Sequence, residues 1–151
     1  MSTLTEIAEA VKTQLNSITW SPTFTATRMN IPRHSRDSLS TLQVTVTPRS
    51  RTVTPVTRGK VFENVEIYIG IEKGLDGDTN TESDALIDLG EDIARYFENG
   101  RSLTTFAGAP CVGVTFGNGD GSPWMSVKDQ NETLVYTGVI VLEFQALRNA
   151  N

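Results

Sequence analysis

Val65-Glu-Ile-Tyr-Ile-Gly-Ile-Glu-Lys73 is the stretch on which the fold turns. Val65, Ile67, Ile69 and Ile71 alternate with Glu66, Tyr68, Gly70 and Glu72. A period of two puts the four β-branched side chains on one face of a strand and the others on the opposite face. One face therefore meets a core and the other meets solvent or a partner, the pattern of an antiparallel sheet covered on one side. The expected strand runs over Phe62–Lys73.

The cover must come from amphipathic helices, and two flank this strand. Downstream of a turn at Gly74–Asn80, Leu86, Leu89, Ile93, Tyr96 and Phe97 recur at helical spacing. Thr81 and Asp84 approximate a capping box, acids crowd the first turns and Gly100 supplies the stop, so the spacing predicts a helix from Thr81 to about Glu98. Near the start, Leu4, Ile7, Ala8, Val11 and Leu15 form a second stripe, with Glu6, Glu9, Lys12 and Gln14 mostly opposite it. This predicts a helix over about Thr3–Asn16, with Ser2 or Thr3 as the N-cap. Thr23–Met29 and Leu42–Thr47 are rich in β-branched residues and read as strands, as do Pro110–Phe116 and Leu134–Leu147.

The order is α-β-β-β-α-β-β, an α+β fold with a mostly antiparallel sheet and two amphipathic helices packed on it. A chain of 151 residues suits a single domain, 1–151. Long exposed loops are expected at about 30–40, where Pro32 interrupts a polar run, at 48–60, and at 117–131 with its three glycines. The middle one, Pro48–Gly59, holds two prolines and three arginines and reads as an irregular excursion.

Composition narrows the function classes. Hydrophobic residues at 38% and charged residues at 21% exclude wholesale disorder. No basic segment leads into an apolar run at the N-terminus, and no stretch approaches the roughly 20 apolar residues of a membrane span. A soluble chain without membrane contact is expected. One cysteine, Cys111, excludes an internal disulfide framework and a cysteine-rich zinc site.

Several segments resemble chemical sites, and each has an ordinary reading. Asp76-Gly-Asp78-Thr-Asn80-Thr-Glu82 begins like a calcium loop, but the sixth position is Thr81 and the twelfth is Ile87, where an EF-hand needs Gly and Glu. The ordinary reading is an acidic turn at a helix N-terminus. Asp84, Asp88, Glu91 and Asp92 share a helix face; a solvated face looks the same, and no His or Cys accompanies them. His34 lies between Arg33 and Arg36 with Ser35 and Ser38 nearby, which reads as a surface loop because no nucleophile motif is present. Gly117-Asn-Gly119-Asp-Gly121 lacks both the Lys-Ser/Thr of a P-loop and the third glycine of a dinucleotide loop. Cys111, within Pro-Cys-Val-Gly-Val, reads as a small buried hydrophobe. No enzyme, cofactor or metal is expected.

Charge placement says more. The net charge of −5 argues against a generic nucleic-acid coat. It averages two opposed segments, however. From Arg28 to Lys60 there are seven Lys+Arg and one acid, a net +6; from Val61 to Glu98 there are eleven acids and two bases, a net −9. A subunit so divided is suited to head-to-tail docking on its own copies, and such contacts close into rings where the rotation permits.

The succession of an N-terminal amphipathic helix, Leu42-Gln-Val-Thr-Val-Thr-Pro48, an arginine-bearing excursion, Val65–Lys73, the helix Asp84-Ala-Leu-Ile-Asp-Leu-Gly-Glu-Asp-Ile-Ala-Arg-Tyr-Phe97 and the strand Gly138-Val-Ile-Val-Leu-Glu-Phe144 resembles the small tail-terminator and neck proteins of tailed bacteriophages. The resemblance covers nearly the whole chain and rests on a pattern of elements. It implies a structural virion protein, commonly a ring of six subunits, that caps the tail tube, ends its growth and joins it to the head–tail connector. DNA would cross the lumen without being read. Arg49, Arg51, Arg58 and Lys60 are then the expected contacts to a neighbour or the tube, and Asp84, Asp88, Glu91 and Asp92 the expected lumen-facing acids. Alternatives are a head-completion or connector protein of the same neck, a small-ligand or calcium module resting on Asp76–Glu82, and a nucleic-acid-binding module resting on Arg28–Lys60.

Overall fold

A computed structural model of the chain describes residues 3–31, 40–75, 79–98, 103, 108–117, 125–127 and 134–149. Its elements are helix α1 (Thr3–Asn16), strands β1 (Ala26–Arg28), β2 (Gln43–Thr57) and β3 (Lys60–Gly74), helix α2 (Thr79–Phe97), and strands β4 (Cys111–Gly117), β5 (Met125–Val127) and β6 (Leu134–Asn149). The expected α+β fold and element order hold. The three-residue β5 is an addition inside the expected 117–131 loop. The sheet order is β1-β2-β3-β6-β4, with β5 paired to β6. Every pairing is antiparallel except that of β1 with β2.

Both helices cover the same face. Val65, Ile67, Ile69 and Ile71 of β3 are buried with Val44 and Val46 of β2 and Ile140, Leu142 and Phe144 of β6. Onto them α1 lowers Ile7, Val11 and Leu15, and α2 lowers Leu86, Leu89, Ile93 and Phe97. Each such aliphatic side chain contributes about 1.5–3 kcal/mol on burial. Tyr96, expected in the stripe, is only half-buried; it joins the helices through a hydrogen bond from Gln14 and an edge-on contact with Trp20, centroids 5.8 Å apart. The Asn16 side chain pins β1, accepting from the Ala26 amide at 2.7 Å and donating to its carbonyl at 3.0 Å.

Residues 48–60 correct an expectation. They are exposed, but they form a β-arm rather than an irregular loop: β2 and β3 pair from Gln43↔Glu72 to Thr57↔Lys60. Arg58 and Gly59 make a two-residue turn in which Gly59 adopts φ +114°, a conformation costly for other residues. Pro48 and Pro55 stand at the two register shifts, on a strand whose outer edge β1 covers only at Val44–Val46. There a missing N–H breaks little of the ladder, which is why two prolines did not prevent a strand.

The α2–sheet spacing depends on Gly90. A Cβ placed there would lie 2.1 Å from Cζ of Phe116 and 2.4 Å from its Cε1. Gly90→Ala is therefore expected to lower stability by about 1–2 kcal/mol, although alanine is the better helix former. Urea unfolding checks this; a stabilised variant would mean that Phe116 swings aside freely.

Candidate functional site

The distal part of the arm is a three-stranded ribbon. β6 continues beside β3 as far as Lys60↔Asn149, whereas β4 leaves β6 at Phe144. All residues from Arg51 to Lys60 are exposed, so the helices leave this tip uncovered. On the helix-facing side of the ribbon the apolar core gives way to a charge cluster. Glu63, 2% exposed, receives Nε–H of Arg51 at 2.6 Å on one carboxylate oxygen and that of Arg148 on the other. The Arg51 guanidinium, assisted by Arg148, holds the Glu63 carboxyl below its usual range against the opposing effect of burial.

The expected interface cations therefore have different surroundings. Arg51 belongs to the arm's internal cluster. Arg49, at the bulge, lies over the Tyr68 ring, 5.4 Å from its centroid, on the sheet face without helices. Arg58 sits in the turn and Lys60 opens β3; both are exposed, and among the described residues neither is in an ion pair. Elsewhere in the +6 segment, Arg28 donates to Glu9 at 2.6 Å. Glu9, also bound to Lys12 at 2.8 Å, has its carboxyl lowered by both cations.

Asp84, Asp88, Glu91 and Asp92 are all exposed on α2, and Glu91 also borders a depression against Val114 and Phe116 of β4. Glu91 pairs with Arg95 at 3.2 Å; among the described residues the three aspartates have no ion-pair partner. α2 begins at the end of the sheet remote from the arm tip and runs back until Phe97 meets Phe144 edge-on, with centroids 6.4 Å apart. The exposed cations and the start of the acidic stripe thus lie near opposite ends of β3, whose 15 residues span about 45 Å.

Two adjoining depressions of about 230 and 470 Å³ open between α2 and β4, sharing Glu98 and Val114. On the opposite sheet face, Thr45, Arg49, Tyr68 and Gly70 border another of about 350 Å³. Lys73 pairs with Glu82 at 3.7 Å, while Asp76 and Asp78 lie outside the described residues, as do His34, Ser35, Ser38 and Gly119–Gly121. Among the described residues no three His, Cys, Asp or Glu side chains group to hold a metal ion, and no helix is long and apolar enough to cross a membrane. Cys111 is buried, with its thiol 3.4 Å from the Gly113 carbonyl; burial pushes its pKa up, which disfavours the reactive thiolate.

Glu63 and Arg148 escaped the sequence reading, although a signal exists. Glu63 falls on the same alternating phase as Val65 and Ile67, and an acid on the core side of a strand calls for a cationic partner. No family model and no curated protein matches this chain.

Proposed function

We propose that this chain is a structural subunit of a phage tail or neck, a tail terminator whose copies form a ring, most simply of six. The observation that carries the reading is the polarity of the subunit: an exposed β-arm with Arg58 and Lys60 at its tip, and an acidic helix face beginning near the other end of the sheet. Opposite charges on well-separated surfaces of one subunit suit head-to-tail association, since a two-fold dimer would have to bring both surfaces into one reciprocal interface. Asp84, Asp88 and Asp92 suit a lumen wall, since carboxylates repel phosphate and let DNA pass without adhering; Glu91, paired with Arg95 beside β4, is set apart from them. The tail-tube protein and the head–tail connector are the further partners, and the assembled virion is where the ring acts.

The test is assembly in the presence of the partner it would stop. Added to polymerising tail-tube protein, the chain is expected to shorten tubes at substoichiometric amounts and to appear as rings at their ends in negative stain. Light scattering should then give a ring mass several times 16.5 kDa. A chain that stays monomeric with and without tubes, and leaves tube length unchanged, would remove the proposal.

A further inference from the structure

The two surfaces so far described separately, the arm and the α2–β4 depressions, match each other. Among the described residues the two depressions are lined by α2, Glu98 after it, β4 and Pro110 before it, with nothing from β6, so they open along the outer edge of the sheet. Together they form one groove. Its floor is apolar, with Pro110, Val114 and Phe116, and Val112 stands at the β4 bulge with half its surface exposed. Its helical rim carries Glu91, Arg95 and Glu98; Arg95 is paired with Glu91 at 3.2 Å, which leaves Glu98 as the rim's unpaired acid among the described residues and the rim net acidic. At 100° per residue the two acids lie on the β4 side of the α2 stripe, and Asp88 and Asp92 lie on the other. Glu98 directly follows the C-terminus of α2, where the helix dipole adds negative potential and favours a cation.

The arm has the complementary inventory. Beyond the contact with β1, the outer edge of β2 from Pro48 to Thr57 has no strand beside it among the described residues. Its tip exposes Val53 and Val56, 38% and 45% accessible, next to Arg58 and Lys60. Long exposed edges with apolar side chains invite pairing with another chain. Among the described residues β4 is the sheet's other edge strand; it runs antiparallel to β2, so two copies side by side in one sheet would join these edges in an antiparallel ladder. In that arrangement the arm tip points toward the N-terminal end of the neighbour's β4, where Pro110 and Glu98 lie.

We infer that the arm of one copy seats in the α2–β4 groove of the next, its β2 edge pairing with β4, Val53 and Val56 on the apolar floor, and Arg58 and Lys60 against Glu98 and Glu91. The inference rests on the ring reading and specifies the contact that builds it. The free stretch of β2 lies further toward the tip than the level of β4. Neighbours are therefore staggered, and closure tilts the strands from the ring axis, as in a barrel. Asp84, Asp88 and Asp92 stay outside the contact.

Charge exchange in the full-length chain tests it. Arg58→Glu with Lys60→Glu on the arm, and Glu91→Lys with Glu98→Lys on the groove, are each expected to raise the concentration for half-assembly by about tenfold or more. The four changes in one chain should restore assembly to within about threefold of wild type, because the reversed charges again meet opposites. Circular dichroism melting checks that each variant is folded; all four positions are exposed, so only the small loss from breaking the surface pair of Glu91 with Arg95 is expected. Wild-type rings that survive both paired variants, or a fourfold variant no better than either, would overturn this contact and leave the ring reading standing. A wild-type chain that never assembles, alone or on tubes, would overturn the ring reading itself.

Discussion

Gly138→Val is expected to yield no soluble folded protein, and Gly138→Ala a protein less stable by about 2–3 kcal/mol. Gly138 lies on the helix-facing side of β6, two residues from Tyr136, opposite Ile71 of β3. The Tyr136 ring leans along the strand across it. A Cβ built on Gly138 would stand 2.7 Å from the phenol oxygen and 3.2 Å from Cε1 and Cζ. Tyr136 is fully buried and cannot retreat toward solvent, so the clash must be relieved by moving β6, α2 or both. β6 is paired with β3, β4 and β5, so a displaced β6 disturbs most of the sheet. Against a net stability of about 5–15 kcal/mol for a domain, valine's two further methyls exceed what repacking tolerates. For Gly138→Ala the melting temperature should fall by about 4–12 °C. Tyr136→Phe removes the nearest atom, so Tyr136→Phe with Gly138→Ala should lose less than the sum of the single losses. An alanine variant that melts with the wild type would show that the ring has room to move.

The β3 alternation and the two helical stripes were legible because each element buries one side, and burial writes its period into the sequence. The limits of α1 match the expected Thr3–Asn16, where Thr3 opens the helix and Ser17 follows it. The arm was illegible for a different reason. Its residues bury almost nothing, so no apolar period marks them, and Pro48 and Pro55 argue for a break unless one knows that they stand at bulges on an edge strand. Thr52-Val-Thr and Val56-Thr, followed by Arg58-Gly59, were the available hint of a strand and a tight turn. The groove was out of reach too, because α2 and β4 meet only through the topology. In the basic segment, simple counting treated Arg28, Arg51 and Arg58 alike. The fold neutralises the first with Glu9 and the second with Glu63, and leaves the third exposed without an ion pair among the described residues.

Glu63 stabilises the root of the arm, because the charge cluster takes the place of a hydrophobic core where the arm leaves the helices. Glu63→Ala leaves the guanidiniums of Arg51 and Arg148 facing each other without a counter-charge. Removing one partner of a buried ion pair costs about 3–5 kcal/mol, but both arginines are more than a third exposed and can turn into water, so about 2 kcal/mol is expected. The loss should be local: hydrogen exchange in Arg51–Val65 and Gln145–Asn149 rises, while the Ile67–Ile71 amides under the helices stay protected. Acid should act in the same direction. The folded chain holds the Glu63 carboxyl below its ordinary value, so the unfolded chain takes up a proton first as pH falls. The stabilisation is therefore complete above about pH 5 and declines as the pH drops through the unfolded value of about 4.3 and then the lower folded one. Glu9, lowered by Lys12 and Arg28, contributes with the same sign, so acid lability persists in part without Glu63. Glu63→Gln keeps the shape without the charge, and should show a flatter loss of stability between about pH 5 and 3 than the wild type. Equal slopes in urea titrations of the two proteins would place the acid sensitivity elsewhere. If the arm is also the element that reaches a neighbour, Glu63→Gln should weaken assembly at neutral pH while Arg58 and Lys60 are intact, because those cations are presented by a ribbon that Glu63 keeps in shape.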